Sequence, residues 1–481
     1  MKPKFETEDI LFGILVVLFV AITFVMGGIL YGKTPHPADK TLKILIPADT
    51  QYVDQQKRYS AAYKKFHPEI EIQPIPFPWA NIWQKLEFMI VANIPPDVTG
   101  IEQPNLPKFV YMNAVEPLDD WIKNDPEFDP NVLYKECMDE GNWDNIQWAI
   151  PDTFSPVLLW YNKNLFDEAG LSHPTRDWTQ SDVLDAAKKL TRDLDGNNIP
   201  DIWGFFTNNN HWNRYPCWIW MTGGEFMSPD MLTSSFDSPK VVAGITWLRD
   251  LALKYRVMPS STVLGTFTSG NLFISGKLAM TTETRYALPV FYQEKNRDKV
   301  RLFKWDVCEL PHEDKRATTF VCGLNLIPRT VTPERKKMAW DYIKFISSVA
   351  GQEVIAGNNA GLPARREVAE RAVVHPGTPP QNDHAFLEAV SYARYLYWPF
   401  PSDPAFAEAR SDLQGVWNGD LDPLPVCQKI TININKSVED FLRLNPGRKL
   451  PVKTKWVPIE KKPAASQVAA ETAAPVAAPG S

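Results

Sequence analysis

The sequence lacks the groups on which most enzymes and cofactor carriers rely. It has no GxSxG elbow, no HExxH pair and no phosphate-cradling glycine loop, and its seven histidines are scattered from His36 to His384. Serine hydrolases, zinc proteases and P-loop enzymes therefore find no support. A glycosidase pair is not excluded by counting, because two carboxyls about 5–10 Å apart leave no local trace. The five cysteines, Cys137, Cys217, Cys308, Cys322 and Cys427, form no CxxC and no Cys/His metal spacing. They read as buried thiols, with a Cys308–Cys322 disulfide as the alternative in an oxidising space. A basic excess is missing too. With 51 Lys and Arg against 57 Asp and Glu, the net charge is -6, and no nucleic-acid partner is expected.

What is present is apolar and aromatic. Ile10 to Tyr31, "ILFGILVVLFVAITFVMGGILY", carries no charge over 22 residues, enough to cross a bilayer core of about 30 Å. No cysteine follows the run as a lipoprotein signal requires, and no small-residue cleavage site is evident. Residues 10–32 are read as an uncleaved membrane anchor, with a cleaved signal as the alternative. At the other end, 446–481 is rich in Ala, Pro, Lys and Val without apolar periodicity, and is expected to be a disordered tail. The 17 Trp are many. Each indole N–H wants a partner, so some rings are expected to serve a ligand.

Between these ends the elements alternate. "TLKILIP" reads as a buried strand, "DQQKRYSAAYKKFHPEI" as a helix, "EIQPIPF" as a strand, "NIWQKLEFMIVANIP" as a helix and "PPDVTGI" as a strand. The β-α-β-α-β order predicts an α/β fold with a parallel sheet between helices. In such sheets ligands sit at the carboxyl ends of the strands.

The blocks "NIPPDVTGIEQPNLPKFV", "SPVLLWYNKNLFDEAGL", "WTQSDVLDAAKKLTRDLDGNNIPDIWGF", "WIWMTGGEFMS", "FTSGNLFISGKLAMTTETRYALP", "AWDYIKFISSVAGQEVIAG" and "GLPARREV" follow one another in order. Together they resemble the extracellular solute-binding proteins of sugar ABC importers, the maltose-binding-protein-like family, from about Thr41 to Asn445. The resemblance implies a two-lobed periplasmic-binding-protein fold, each lobe a mainly parallel sheet flanked by helices, with three hinge crossings near "IPDTFSP", "DVCELPH" and "AGLPARR". Lobe one would comprise 41–152 plus 309–362, and lobe two 153–308 plus 363–445. It also implies a binding protein and not an enzyme, capture of a sugar or oligosaccharide, and delivery to a permease in the cytoplasmic membrane. Residues 1–9 would then lie in the cytoplasm and the lobes in the periplasm or outside the cell. A clamp that senses its ligand and signals to a membrane partner is the alternative.

A sugar offers apolar C–H faces and a ring of hydroxyls, so its cleft needs flat aromatic surfaces beside carboxylates, amides and Arg. The loops at strand ends supply Asp49 and Gln51, Glu102 and Asn105, Ser155 beside Asp152, and His211, Trp212 and Asn213. Where the resemblance places a ligand-stacking loop, this chain has Glu283, Arg285 and Tyr286 instead of the family's frequent Gly and Trp. Arg285 could then read an anionic sugar such as a uronate. "YLYWPF" adds Tyr395, Tyr397 and Trp398. Packing remains the duller reading for several rings, Trp218 and Trp220 above all.

One loop suggests a metal. Asp193, Asp195, Asn197 and Asp201 fall at positions one, three, five and nine, but Asn198 and Gly204 stand where an EF-hand needs Gly and Glu. The set reads either as a structural calcium site or as a polar turn held by Asx hydrogen bonds. No cofactor is otherwise required.

Overall fold

The computed structural model describes residues 40–209, 211–260, 269–292, 304–359, 361–374 and 378–458. The expected anchor at 10–32, the segment before it and residues 459–481 lie outside the described residues. No helix among the described residues is long and apolar enough to cross a membrane.

Ten strands form one sheet: β1 (Thr41–Pro47), β2 (Glu71–Phe77), β3 (Val98–Glu102), β4 (Ile150–Asn162), β5 (Trp203–Phe206), β6 (Leu278–Thr284), β7 (Trp305–Cys308), β8 (Thr318–Leu326), β9 (Leu362–Pro363) and β10 (Ala393–Arg394). The main path runs β2-β1-β3-β8-β4-β6-β5, with β7 and β9 on β4 and β10 on β8. The outer pairs β1·β2, β1·β3 and β5·β6 are parallel, whereas β3·β8, β8·β4 and β4·β6 are antiparallel. The helices used below are α1 (Thr50–Tyr63), α2 (Lys135–Glu140), α3 (Gln180–Leu190), α4 (Asp403–Asn418) and α5 (Pro423–Leu444).

β4 organises the molecule. Its 13 residues are buried throughout except for the partly exposed Asp152, which is why it reads as a near-continuous apolar run instead of an alternating one. Ile150–Pro156 pairs with β8, while Val157–Tyr161 pairs with β6. Pro156 offers no N–H to a ladder and stands where one partner gives way to the other. The same strand therefore serves both halves of the sheet.

Local signals explain the flanking helices. α3 starts in a capping box, Thr179 with Asp182, ends in Lys188 and Lys189, and buries Val183, Ala186, Ala187 and Leu190 at helical spacing. It lies so close to β5 that a Cβ on Gly204 would come within 2.0 Å of the Ala187 carbonyl oxygen. Beside β6, Trp160 stacks on Trp305 with ring centroids 5.1 Å apart. Trp218 and Trp220 are buried as well, in line with the packing reading.

The thiol reading holds, and one expectation changes. All five cysteines are free and buried. Cys308 and Cys322 therefore form no disulfide, and the Cys322 thiol donates to the Gly323 carbonyl at 3.6 Å. The expected loss of order at 446 is corrected for the first residues of that segment. Beyond α5 the chain returns across the turn that follows α2: Val452 N–H donates to Asp144, Asn145 N–H donates to the Thr454 hydroxyl, and Trp456 N–H donates to Asp139. Trp456 is 4 % exposed and Lys453 bonds the Asp139 carbonyl. A mean over an Ala/Pro-rich stretch hides one Trp and one Lys that find partners.

Candidate functional site

Loops from several strands meet along one seam. Tyr52, in the first turn of α1, lies near Glu102 at the end of β3, Asp49 in the loop after β1 and Asp152 on β4. Burial first, then these carboxylates, push its phenol pKa well up. Tyr286, after β6, is near Asp152 and Tyr52 and hydrogen-bonds to Thr153. Room for its ring comes from Gly361, held at φ +79°, where a Cβ would sit 2.6 Å from Tyr286 Cε1. Tyr395 approaches Glu102 from the segment after β10, with Glu140 of α2 also near. Its ring lies 4.6 Å from Trp212 and 4.8 Å from Tyr397.

The carboxyls of this seam are poorly solvated. Burial raises Glu102 to about 7. Asp152 is raised to about 6 by the same cause, against hydrogen bonds from Asn325 and Thr153. Desolvation, then the guanidiniums of Arg214 and Arg410, lower the His211 imidazole to about 4, although the residue is an exposed one. Two buried polar atoms, the Tyr395 hydroxyl and Asn209 Oδ1, have no hydrogen-bond partner among the described residues. Buried groups of this kind are costly unless something pairs with them.

The candidates read from the sequence separate into three groups. Asp49 and Gln51 are exposed at the seam, Glu102 and Asn105 partly buried. Trp212 and Trp398 line one small cavity of about 40 Å³ with Asn209, Tyr215 and Arg410. His211 is tilted against Trp212, and Trp398 stacks on Phe406 at 4.4 Å.

A second group is occupied internally. Glu283 pairs with Arg214, whose guanidinium also bonds Asn213. Ser155 is fully buried and its hydroxyl accepts the Arg285 N–H at 2.8 Å. Arg285 itself is 0 % exposed. Its side chain is taken by Asp383 at 2.8 Å and by the Gly361 and Ala372 carbonyls. The reading of Arg285 as an anion reader is corrected accordingly: the guanidinium reaches inward because a carboxylate and two carbonyls wait there.

The third group is the metal loop, away from the seam. Carboxylate oxygens of Asp193, Asp195 and Asp201 lie within 4.8 Å of one another, and Asp193 accepts the N–H groups of Gly196 and Asn198. Asn197 turns its oxygen to Ile199 N–H. Three converging carboxylates suit a hard cation. Sequence reasoning underrated Tyr52, Asn209 and Arg410. Tyr52 and Asn209 stand beside quoted candidates, while Arg410 lies on α4 and leaves no motif.

A sheet whose central strands border both halves, with facing polar and aromatic loops at the seam, defines a ligand-holding clamp. The chain belongs to the bacterial extracellular solute-binding protein family, whose model matches residues 58–385. This is a family of binding proteins, not of enzymes. Among solved structures, it is similar to an ABC substrate-binding protein from Listeria monocytogenes in complex with cycloalternan, at 25 % identity and TM-score 0.73, covering 83 % of this chain and 98 % of that one. It shares the fold of a maltose-bound protein from T. maritima, at 19 % identity and TM-score 0.68, covering 84 % and 100 % of the two chains. A putative binding protein from Brucella abortus is 24 % identical over 322 residues, 66 % of this chain and 74 % of that one. The neighbours are two-lobed periplasmic binding proteins, and an extracellular or periplasmic site of action follows from the family.

Proposed function

We propose that this solute-binding protein captures a sugar or oligosaccharide at the seam between its two lobes and delivers it to an ABC permease in the cytoplasmic membrane, to which residues 10–32 tether it. The observation that carries this reading is the composition of the seam: Tyr52, Tyr286, Tyr395 and Trp212 supply flat faces, and Glu102, Asp152 and the Tyr395 hydroxyl and Asn209 Oδ1, without partners among the described residues, supply hydroxyl partners. Sugars bound in related structures support it. The lobes are taken as 41–152 plus 309–362 and 153–308 plus 363–445, with the bend of the first crossing at Pro156, where β4 changes partners. Segments of this kind absorb the φ/ψ change of closure. A calcium ion bound by Asp193, Asp195 and Asp201 would staple the loop ahead of β5 and take no part in recognition.

Isothermal titration against a panel of mono- to tetrasaccharides tests the reading. Saturable binding without product supports it, and turnover of any glycan overturns it. Copurification with a permease supports delivery, whereas copurification with a sensor kinase alone supports the signalling clamp.

A further inference from the structure

We propose that the segment after α5 is a fourth link between the lobes, a strap that limits how far the clamp opens and keeps the empty site near its ligand-holding form. The proposal rests on the division into lobes given above.

α5 belongs to lobe two. It packs on α4 and on the helix Pro239–Leu253. Asn435 accepts the Ser234 N–H at 2.7 Å, and the Thr431 hydroxyl donates to Asp237 at 2.9 Å. The chain then leaves that lobe for lobe one. Arg448 donates to the Tyr111 carbonyl at 3.1 Å and lays its guanidinium 4.1 Å from the centre of the Tyr111 ring. From Val452 the strap pairs with the turn after α2. Asp144 N–H donates to the Val452 carbonyl and Val452 N–H to the Asp144 carboxylate, both at 2.9 Å, and the Thr454 hydroxyl donates to Asn142 at 2.6 Å. With Trp456 buried beyond them, these bonds make a fixed anchor on lobe one.

The strap lies where the two lobes meet. Leu450 and Pro451 share a small pocket with Trp143 of lobe one and with Leu232 and Trp398 of lobe two. Lys453 places its ammonium 5.5 Å from the ring centres of both Trp143 and Tyr397. Beside it, the Tyr397 hydroxyl of lobe two donates to Glu140 of lobe one. Trp398 also lines the cavity that holds Trp212, so the strap borders the seam itself.

The restraint is one of chain length. From Asn445, which caps α5, to Arg448 is three residue steps, and these span about 10 Å at full extension. While Arg448 stays on Tyr111, opening at this rim is bounded by that reach. A clamp kept from wide opening spends a larger fraction of its time competent to bind, and its apparent affinity rises by the same factor.

The test lengthens the strap without removing a contact. A flexible insert of about twelve Gly and Ser residues between Gly447 and Arg448 frees the rim, and the same insert after Gly170, within lobe two, is the control. Melting curves check that both variants of the full chain fold. Small-angle scattering without ligand should give a larger radius of gyration for the strap insert than for the control. Titration should give a Kd about threefold higher or more for every sugar that binds, with their order unchanged. Arg448→Ala should shift both readouts in the same direction. A radius of gyration no larger than the control's, or affinities unchanged by the strap insert, overturns the strap and leaves the sugar reading standing. Absence of binding across a wide sugar panel overturns the sugar reading instead, and the ligand-free scattering still decides the strap.

Discussion

Arg285 and Asp383 form an ion pair in which neither side chain is exposed to solvent, although 98 positions separate them in the chain. Removing one partner of such a pair strands the other charge away from water, which costs about 3–5 kcal/mol. Asp383→Ala and Arg285→Ala should each lower stability by that amount in urea melts. If Arg285→Lys folds normally yet loses sugar affinity, Arg285 acts on the ligand after all.

Trp212→Ala should weaken sugar binding ~10-fold by removing a stacking face of the seam. Trp398→Ala should do less, because that ring already stacks on Phe406 and its N–H donates to Asp403. Titration of both variants checks the order; unchanged affinity in Trp212→Ala would move the ligand elsewhere.

Glu102 and Asp152 both carry raised carboxyls, so the folded protein holds these protons more tightly than the unfolded chain. Their stabilising effect is complete below the ordinary values of 4.5 and 3.8 and is lost as pH rises through about 7 and 6. The lowered His211 works the other way, its stability being lost as pH falls from 6.5 towards 4. Comparing Glu102→Gln with the native chain isolates one group: the ligand-free variant should melt ~2 °C higher at pH 8 and no higher at pH 4. Equal shifts at both would mean that burial does not govern this carboxyl.

The returning segment from Val452 to Trp456 should peel away as a unit. Trp456→Ala and truncation after residue 446 are therefore expected to cost similar amounts, about 3 kcal/mol each. A truncation that costs nothing in a denaturant melt would show that these contacts add no stability.

Calcium should raise the melting temperature of chelated protein, by an amount that grows with its concentration above Kd. Asp193→Ala should abolish the rise while leaving sugar affinity alone. A melting temperature unmoved by calcium removes the metal and leaves the polar turn.

The parts of this molecule legible in the sequence are those with local causes. β1 and β3 declare themselves by buried apolar runs, and Glu102 stands out as a candidate because it closes a strand at its carboxyl end. Trp212 and Trp398, chosen separately from two polar loops, line one cavity. What could not be read depends on distant partners. Arg285 looks like any loop arginine until Asp383 folds beside it. Arg410 reaches the cavity through the rotation of α4, which no motif records. Trp456 was lost in the average of its surroundings.

β4 gives its first half to β8 and its second to β6, while β8 also borders β3. Neither half of the sheet can come apart without stripping the other of a central ladder. Heating should therefore give one calorimetric transition, with van 't Hoff and calorimetric enthalpies in agreement, and a bound sugar should move that single peak as a whole.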